Sequence, residues 1–331
     1  MSDALSAAGQ VGEERPSSDA PVRLLQSEWL WAWVLVAGAA IWLITAVATG
    51  LTDLDHLIPN VVLLGSFLVP VSLVLFALAR TSDGYLRVEH VILGFLGGGL
   101  LGTVFAGVTE VYFLPSAAGT FVAVGLFEET AKAAVLVLIG TSVSVKRGRD
   151  GMILGATVGA GFAAFESAGY ALSTFLEHRA DHPVLHIVST EAQRAVVSPF
   201  GHLTWTSLAG GAIFAAWRSS GFGPISPVAW TFAGVVALHA AWDSAYGWAI
   251  TIARGLAGDG WDDGWPATEE WIGRPTGAEL TTFNVAYDVL IGANALVGTV
   301  WVIKRWRHYR AQGARARLAQ DDAVREALSR D

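Results

Sequence analysis

Phe127-Glu128-Glu129-Thr130-Ala131-Lys132 places three ionisable side chains in the middle of an apolar run that extends over 119–139. A charged side chain at the centre of a bilayer costs on the order of 3 kcal/mol or more, so such groups usually face a protein interior or a watery cavity and carry function. Two adjacent glutamates double that cost unless one is protonated or both are paired. Lys132 stands one helical turn from Glu128, where an ion pair can form. The two glutamates point about 100° apart on a helix and so cannot do the same job. One can face a cavity while the other pairs with Lys132 or a neighbouring helix, and the spacing does not say which.

The surrounding chain fits a membrane setting. Of its 331 residues, 53% are apolar and 15% charged, with 14 tryptophans and a mean hydropathy of +0.48, the profile of an all-α polytopic membrane bundle. Cysteine is absent, which excludes disulfides and thiolate chemistry. Nothing in the composition points to nucleic acid as a partner. About eight stretches are long and apolar enough to span a bilayer: 31–51, 61–79, 91–108, 119–139, 151–176, 198–217, 228–252 and 283–303. Bases cluster in alternate connections, at Arg80 and Arg87, at Lys146, Arg147 and Arg149, at Arg218, and after the last span from Lys304 onward. The other connections carry Asp53 and Asp55, Glu110, a mixed segment over 177–194, and the acidic Trp-rich segment within 254–279. The positive-inside rule then puts both termini in the cytoplasm. Residues 1–27 read as a disordered tail without a signal peptide, 28–305 as one membrane domain with its core motifs over 119–247, and 306–331 as a second cytoplasmic tail.

Two glycine rows mark faces of close helix approach: Gly94, Gly98 and Gly102, then Gly151, Gly155 and Gly159. Trp29, Trp31 and Trp33 near one surface and Trp261, Trp265 and Trp271 near the other suit an aromatic belt. Glu110 and Asp288 read as interfacial, and Tyr170 and Trp242 as packing residues.

Four further intramembrane residues join the glutamate pair: Glu166, His202, His239 and Asp243. Counted from the external face, Glu129, Glu166, His239 and Asp243 lie roughly 14 to 20 Å deep at 1.5 Å per residue. His202 is shallow unless its helix begins earlier, near Glu191. Spacing of i, i+4 stacks His239 and Asp243 on one helix face. A carboxylate and a histidine converging on one water can deprotonate it for attack on a carbonyl, while other donors hold the developing oxyanion. No serine elbow is present, and no cysteine nucleophile exists. A metal route would use Glu129, Glu166, His202, His239 and Asp243 as a donor pool for zinc, although the His-Glu-x-x-His spacing is missing. Acids and histidines near the midplane also form ion relays, so a proton- or cation-coupled transporter is the alternative. A transporter should show internal repeats, and none is visible.

Glu128-Glu129-x-x-Lys132, Phe162-x-x-x-Glu166, His202 after Pro-x-Gly, and His239-x-x-x-Asp243, in that order, resemble the four motifs of the PrsW family of intramembrane proteases. That family is distantly related to the CAAX prenyl endopeptidases and the bacteriocin-processing proteases. The resemblance implies that the glutamate pair includes the catalytic glutamate, that Glu166 and His202 line the site, and that His239 and Asp243 complete it. It further implies cleavage of membrane-anchored proteins, such as anti-sigma factors, near the external face. The prenyl endopeptidases carry Arg and His where this chain has Lys132 and Glu166. PrsW-like sequences commonly place Asn where Ser167 stands. Cofactor dependence and oligomeric state are left open.

Overall fold

A computed structural model of the chain describes residues 27–79, 85–114, 119–179, 181–218, 221–258 and 274–328. Residues 1–26 of the tail expected over 1–27, Arg80, and the Trp-rich part of the external segment with Trp261, Trp265 and Trp271 lie outside the described residues. The rest is an all-α bundle. In chain order the helices are α1 Leu30–Thr52, α2 Ile58–Ala79, α3 Val88–Leu96, α4 Thr103–Phe113, α5 Thr120–Gly140 and α6 Gly148–Glu177, followed by α7 Pro183–Val197, α8 His202–Ala216, α9 Ser226–Asp243, α10 Ala245–Ala257 and α11 Gly277–Leu328. A two-residue antiparallel pairing of Trp217–Arg218 with Gly221–Phe222 follows α8.

All eight apolar stretches fall on helices. Five helical segments, Leu30–Thr52, Asp55–Ala79, Val88–Phe113, Gly148–Glu177 and Gly277–Arg315, are long and apolar enough to cross a membrane. The other three expected spans fall on α5, whose interior carries the charged triplet, on α8 with the short turn before it, and on α9–α10, which is interrupted midway. Pro199 has no amide hydrogen to donate, and α7 ends at Val197 before a 3-10 turn, Ser198–Phe200. The helix restarts at His202. Ser244 divides the expected seventh span in the same way.

The segment over 177–194, expected as an external connection, is corrected by the structure. Its mixed composition conceals α7, whose Ile187 and Glu191 are buried against α2 and α6. The expected C-terminal tail continues α11 as helix to Leu328. The expected belt keeps Trp29 and Trp33 exposed. Glu110 stands on the last turn of α4, half-buried, with Oε1 shielded and without a partner among the described residues. Tyr170 is largely exposed and lies beneath the Arg194 guanidinium, 4.4 Å from its ring centre, rather than in the core. Trp242 does pack, 5.8 Å from Trp205.

Helix α6 is the central post, and its glycines explain how close its neighbours come. A methyl group added at Gly151, Gly155 or Gly159 would collide with the backbone carbonyl of Gly210, Thr206 or His202 on α8. On the opposite side, one added at Gly98 would strike the Val158 carbonyl, and one at Gly161 the Phe95 carbonyl. Small residues let backbones approach this way where lipid supplies no hydrophobic drive for helix association. Between α3 and α4 the run Gly97–Gly102 forms a π-helical turn. Rings from α6 sit against it, Phe165 on Gly99 and Phe162 on Gly102.

Gly155→Ala therefore loses about 1–3 kcal/mol of stability, the cost of overpacking a tight contact. Gly107→Ala, where the new methyl meets nothing within 4 Å, is neutral or gains up to about 1 kcal/mol of helix propensity. Thermal unfolding of the two variants in detergent checks this contrast; equal midpoints would show that the α6–α8 contact is not tight.

Candidate active site

The layer inferred from counting residues forms a single buried cluster. Helix α5 supplies Glu128, Glu129 and Lys132; α6 supplies Phe162, Glu166 and Ser167; α8 supplies His202 and Thr206; α9 supplies His239 and Asp243. His202 opens α8, so the amide end of that helix adds positive potential where the carboxylates gather.

Lys132 is at the centre and has no exposed surface. Its Nζ is 2.7 Å from Glu129 Oε1, 3.2 Å from Glu128 Oε2 and 2.8 Å from His202 Nδ1. The Phe162 ring lies 4.0 Å from the ammonium and covers its remaining side. An ammonium only donates, so His202 Nδ1 accepts, and the ring proton sits on Nε2. Nε2 then donates to Glu166 Oε2 at 3.1 Å. Glu129 Oε1 accepts from His239 Nδ1 at 3.0 Å, which leaves Nε2 of that imidazole as an acceptor. This Nε2 lies 3.6 Å from Glu128 Oε2 and 3.3 Å from Asp243 Oδ2. Trp205 stacks on the His239 ring with centroids 4.5 Å apart.

The glutamates thus have different surroundings. Glu129 is fully enclosed by Lys132, His239 and the more distant Thr206 hydroxyl. Glu128 keeps a small exposed edge and lies between the two imidazoles, 3.9 Å from His202 Nδ1 and 3.6 Å from His239 Nε2.

Two residues not singled out from sequence buttress the cluster from α7. Arg194 Nη2 donates to Glu166 Oε2, and its Nε donates to the Ser167 hydroxyl at 2.7 Å. The residue that departs from the family pattern therefore has a definite partner here. One turn earlier, Glu191 accepts from Ser66 of α2 at 2.7 Å. A base and an acid three residues apart on one helix were the available signal, hidden because the segment read as a loop.

A metal ion fits the donor set. Glu128, His202 and His239 each offer one ligand atom, all within 4.8 Å of one another, and three protein ligands with an open position is the catalytic zinc pattern. Of the donor pool expected from the sequence, His202 and His239 belong to this group together with Glu128, while Glu129, Glu166 and Asp243 stand behind or beside the imidazoles. Carboxylates on the far nitrogens, Glu166 for His202 and Glu129 for His239, are the outer partners that orient metal-bound histidines. Lys132 contacts two of the three donors, so a metal must displace its ammonium. Zinc held there would polarise a carbonyl and acidify a bound water.

The model of the PrsW family intramembrane metalloproteases matches residues 86–257, just over half of the chain and all six of the polar positions read from sequence. No curated protein and no solved structure matches it. Ordered motifs on four helices, gathered into one buried Glu/His/Lys cluster, agree with that match: the chain is a multi-pass membrane protein that belongs to the PrsW family of intramembrane metalloproteases.

Proposed function

We propose that the protein is an endopeptidase that cuts membrane-anchored regulatory proteins, of the anti-sigma-factor kind, near the external face of a prokaryotic plasma membrane. Both termini are then cytoplasmic, and residues 28–305 act as one membrane domain of about eight spans. The observation that carries the mechanism is the position of Glu128 Oε2, with both imidazoles and the Lys132 ammonium within 4 Å.

In this reading a water bridges Glu128 Oε2 and His239 Nε2. Glu128 takes one proton as the hydroxide adds to the scissile carbonyl carbon. Protonation weakens the hold of Glu128 on Lys132, so an ammonium hydrogen becomes free to meet the oxyanion as that charge appears. Glu128 then returns the proton to the departing amide nitrogen, giving one new carboxyl end and one new amine. Glu129 does not touch the substrate; it fixes the His239 ring and the Lys132 side chain. Glu166, held by Arg194, fixes His202. Asp243 accepts on the substrate side of His239, where a donor from the peptide or the water arrives.

With a membrane-anchored reporter, Glu128→Gln loses roughly 10²–10⁴-fold in cleavage rate while the protein still inserts and folds. Glu129→Ala and His202→Ala also abolish cleavage. Wild-type rates in these three variants would rule out the assignment. The crowding of Lys132 against the metal donors gives a second expectation. Lys132→Met binds Co²⁺ at least about tenfold more tightly than the wild type, a difference of about 1.4 kcal/mol, read from the visible cobalt spectrum. Equal affinity would show that the ammonium and the metal do not share donors.

A further inference from the structure

On α7, Ile187, Glu191 and Arg194 recur at i, i+4 and i+7 and so share one face of the helix. Ile187 is fully buried beside Val61 and Val62 of α2 and Ala171 of α6. Arg194 closes the row on Glu166 and Ser167, with its guanidinium over the Tyr170 ring. Between them stands Glu191, a buried acid that the proposed chemistry does not use.

Glu191 is 2% exposed, and α2 is shaped to receive it. A methyl group added at Gly65 would come within 2.8 Å of its carboxyl carbon and of Oε2, so glycine leaves a notch for the acid. Ser66 donates to Oε1 at 2.7 Å, and Oε2 is shielded with no partner among the described residues. A carboxylate only accepts, and a charge buried with one neutral donor is costly; an uncharged carboxyl needs far less. The neighbouring elements supply no free counter-charge. Helices α1 and α2 carry no ionisable side chain, and α6 brings Glu166 and Tyr170, both engaged by Arg194. At the far end of α7, His186 is stacked on His178. Arg194 is one turn from Glu191, yet among the described residues its carboxylate partner is Glu166. Burial, offset in part by the Ser66 hydroxyl and the Arg194 charge, pushes the Glu191 carboxyl up to about 7, on a helix outside the membrane spans.

We propose that Glu191 is a positioning residue that works as a neutral acid: uncharged, it keeps α7 seated in the Gly65 notch and leaves Arg194 to Glu166, which holds His202. Ionisation has two effects. It puts an uncompensated charge in the notch, and it creates a second carboxylate three residues from Arg194, where it competes for the guanidinium. Both draw Arg194 off Glu166, and the His202 ring loses the partner that orients it. Because the buried carboxyl holds its proton more tightly than a solvated one, the seated form is favoured below about pH 7 and is lost as the pH rises through that value. The inference rests on the proteolytic reading for its effect on rate, but not for the proton on Glu191.

The test uses full-length protein in detergent with a membrane-anchored reporter. Glu191→Gln keeps the size of the side chain and removes its charge. It cleaves as fast as the wild type at mildly acidic pH and keeps that rate above about pH 7, where the wild type slows. Gly65→Ala crowds the carboxyl out of its notch, and Glu191→Ala deletes it. Each lowers kcat roughly fivefold, about the worth of one hydrogen bond, at unchanged KM. The double variant loses no more than either alone, because both break the same contact. Infrared spectra read the proton without any cleavage: in mildly acidic buffer the wild type shows a neutral-carboxyl band that Glu191→Gln lacks. If Glu191→Ala fails to fold, the Gln variant and the spectra decide; if the wild type cleaves nothing, the proteolytic reading falls and the band alone decides the state of Glu191. A Glu191→Gln enzyme slower than the wild type at every pH, superimposable pH profiles, additive losses in the double variant, or identical carboxyl bands would each overturn the proposal.

Discussion

The Lys132 ammonium has three hydrogens and three acceptors, Glu128, Glu129 and His202, on two helices. Everything else in the site is consistent with that arrangement. It makes adjacent glutamates tolerable in a place without solvent, and it forces the His202 proton onto the nitrogen that faces Glu166. Removing one partner of a buried ion pair typically costs about 3–5 kcal/mol, because the other charge is left uncompensated. Lys132 serves two acids and an imidazole at once, so its removal disturbs both the stability of α5 and the tautomers on which the chemistry depends.

That centre is reachable only because the helices come unusually close. His202 starts α8, and its own carbonyl rests on Gly159 of α6. The same contact that joins the two helices therefore sets the height of the imidazole relative to Glu166, two turns further along α6. Gly125 of α5 does the same toward α9, facing the Val236 carbonyl and the Cβ of His239. Phe162 below Lys132 and Trp205 against His239 then close the space between the polar groups with rings. Backbone contact fixes the depth of each side chain, and aromatic contact fixes its direction. These constraints lie in helix cores rather than in loops, as expected where loop backbone would be unsatisfied in lipid.

Much of this was legible in the sequence because charges inside apolar runs are costly enough to stand out. The eight stretches mark real helices, the i, i+4 pairs Glu128–Lys132 and His239–Asp243 do meet, and the glycine rows do mark the tight faces. What escaped were features whose signal is tertiary. Glu191 and Arg194 lie in a segment polar enough to read as a connection, and only packing against α2 and α6 makes it a buried helix. The breaks at Ser198–Gly201 and at Ser244 were invisible to hydropathy, which registers apolarity and not backbone conformation. The distinct surroundings of Glu128 and Glu129 could not be read either. Their 100° separation is symmetric until the positions of α8 and α9 are known.

The cluster is also unbalanced, and the imbalance bears on what it can hold. Four carboxylates, those of Glu128, Glu129, Glu166 and Asp243, face two permanent cations, Lys132 and Arg194. The excess is concentrated on one side. Glu128 Oε2, His239 Nε2 and Asp243 Oδ2 all accept, the two carboxylate oxygens lie 3.6 and 3.3 Å from that ring nitrogen, and the only proton of the His239 ring is committed to Glu129. Acceptors at that distance repel unless a proton, a water or a metal ion is shared among them. A water so placed would have its hydrogens directed at two bases and its lone pair turned toward whatever peptide enters, and a divalent ion at the same point would meet the same demand. The glutamate-only and metal-assisted mechanisms are thus two ways of satisfying one electrostatic requirement, which is set by the placement of Glu128 between the imidazoles.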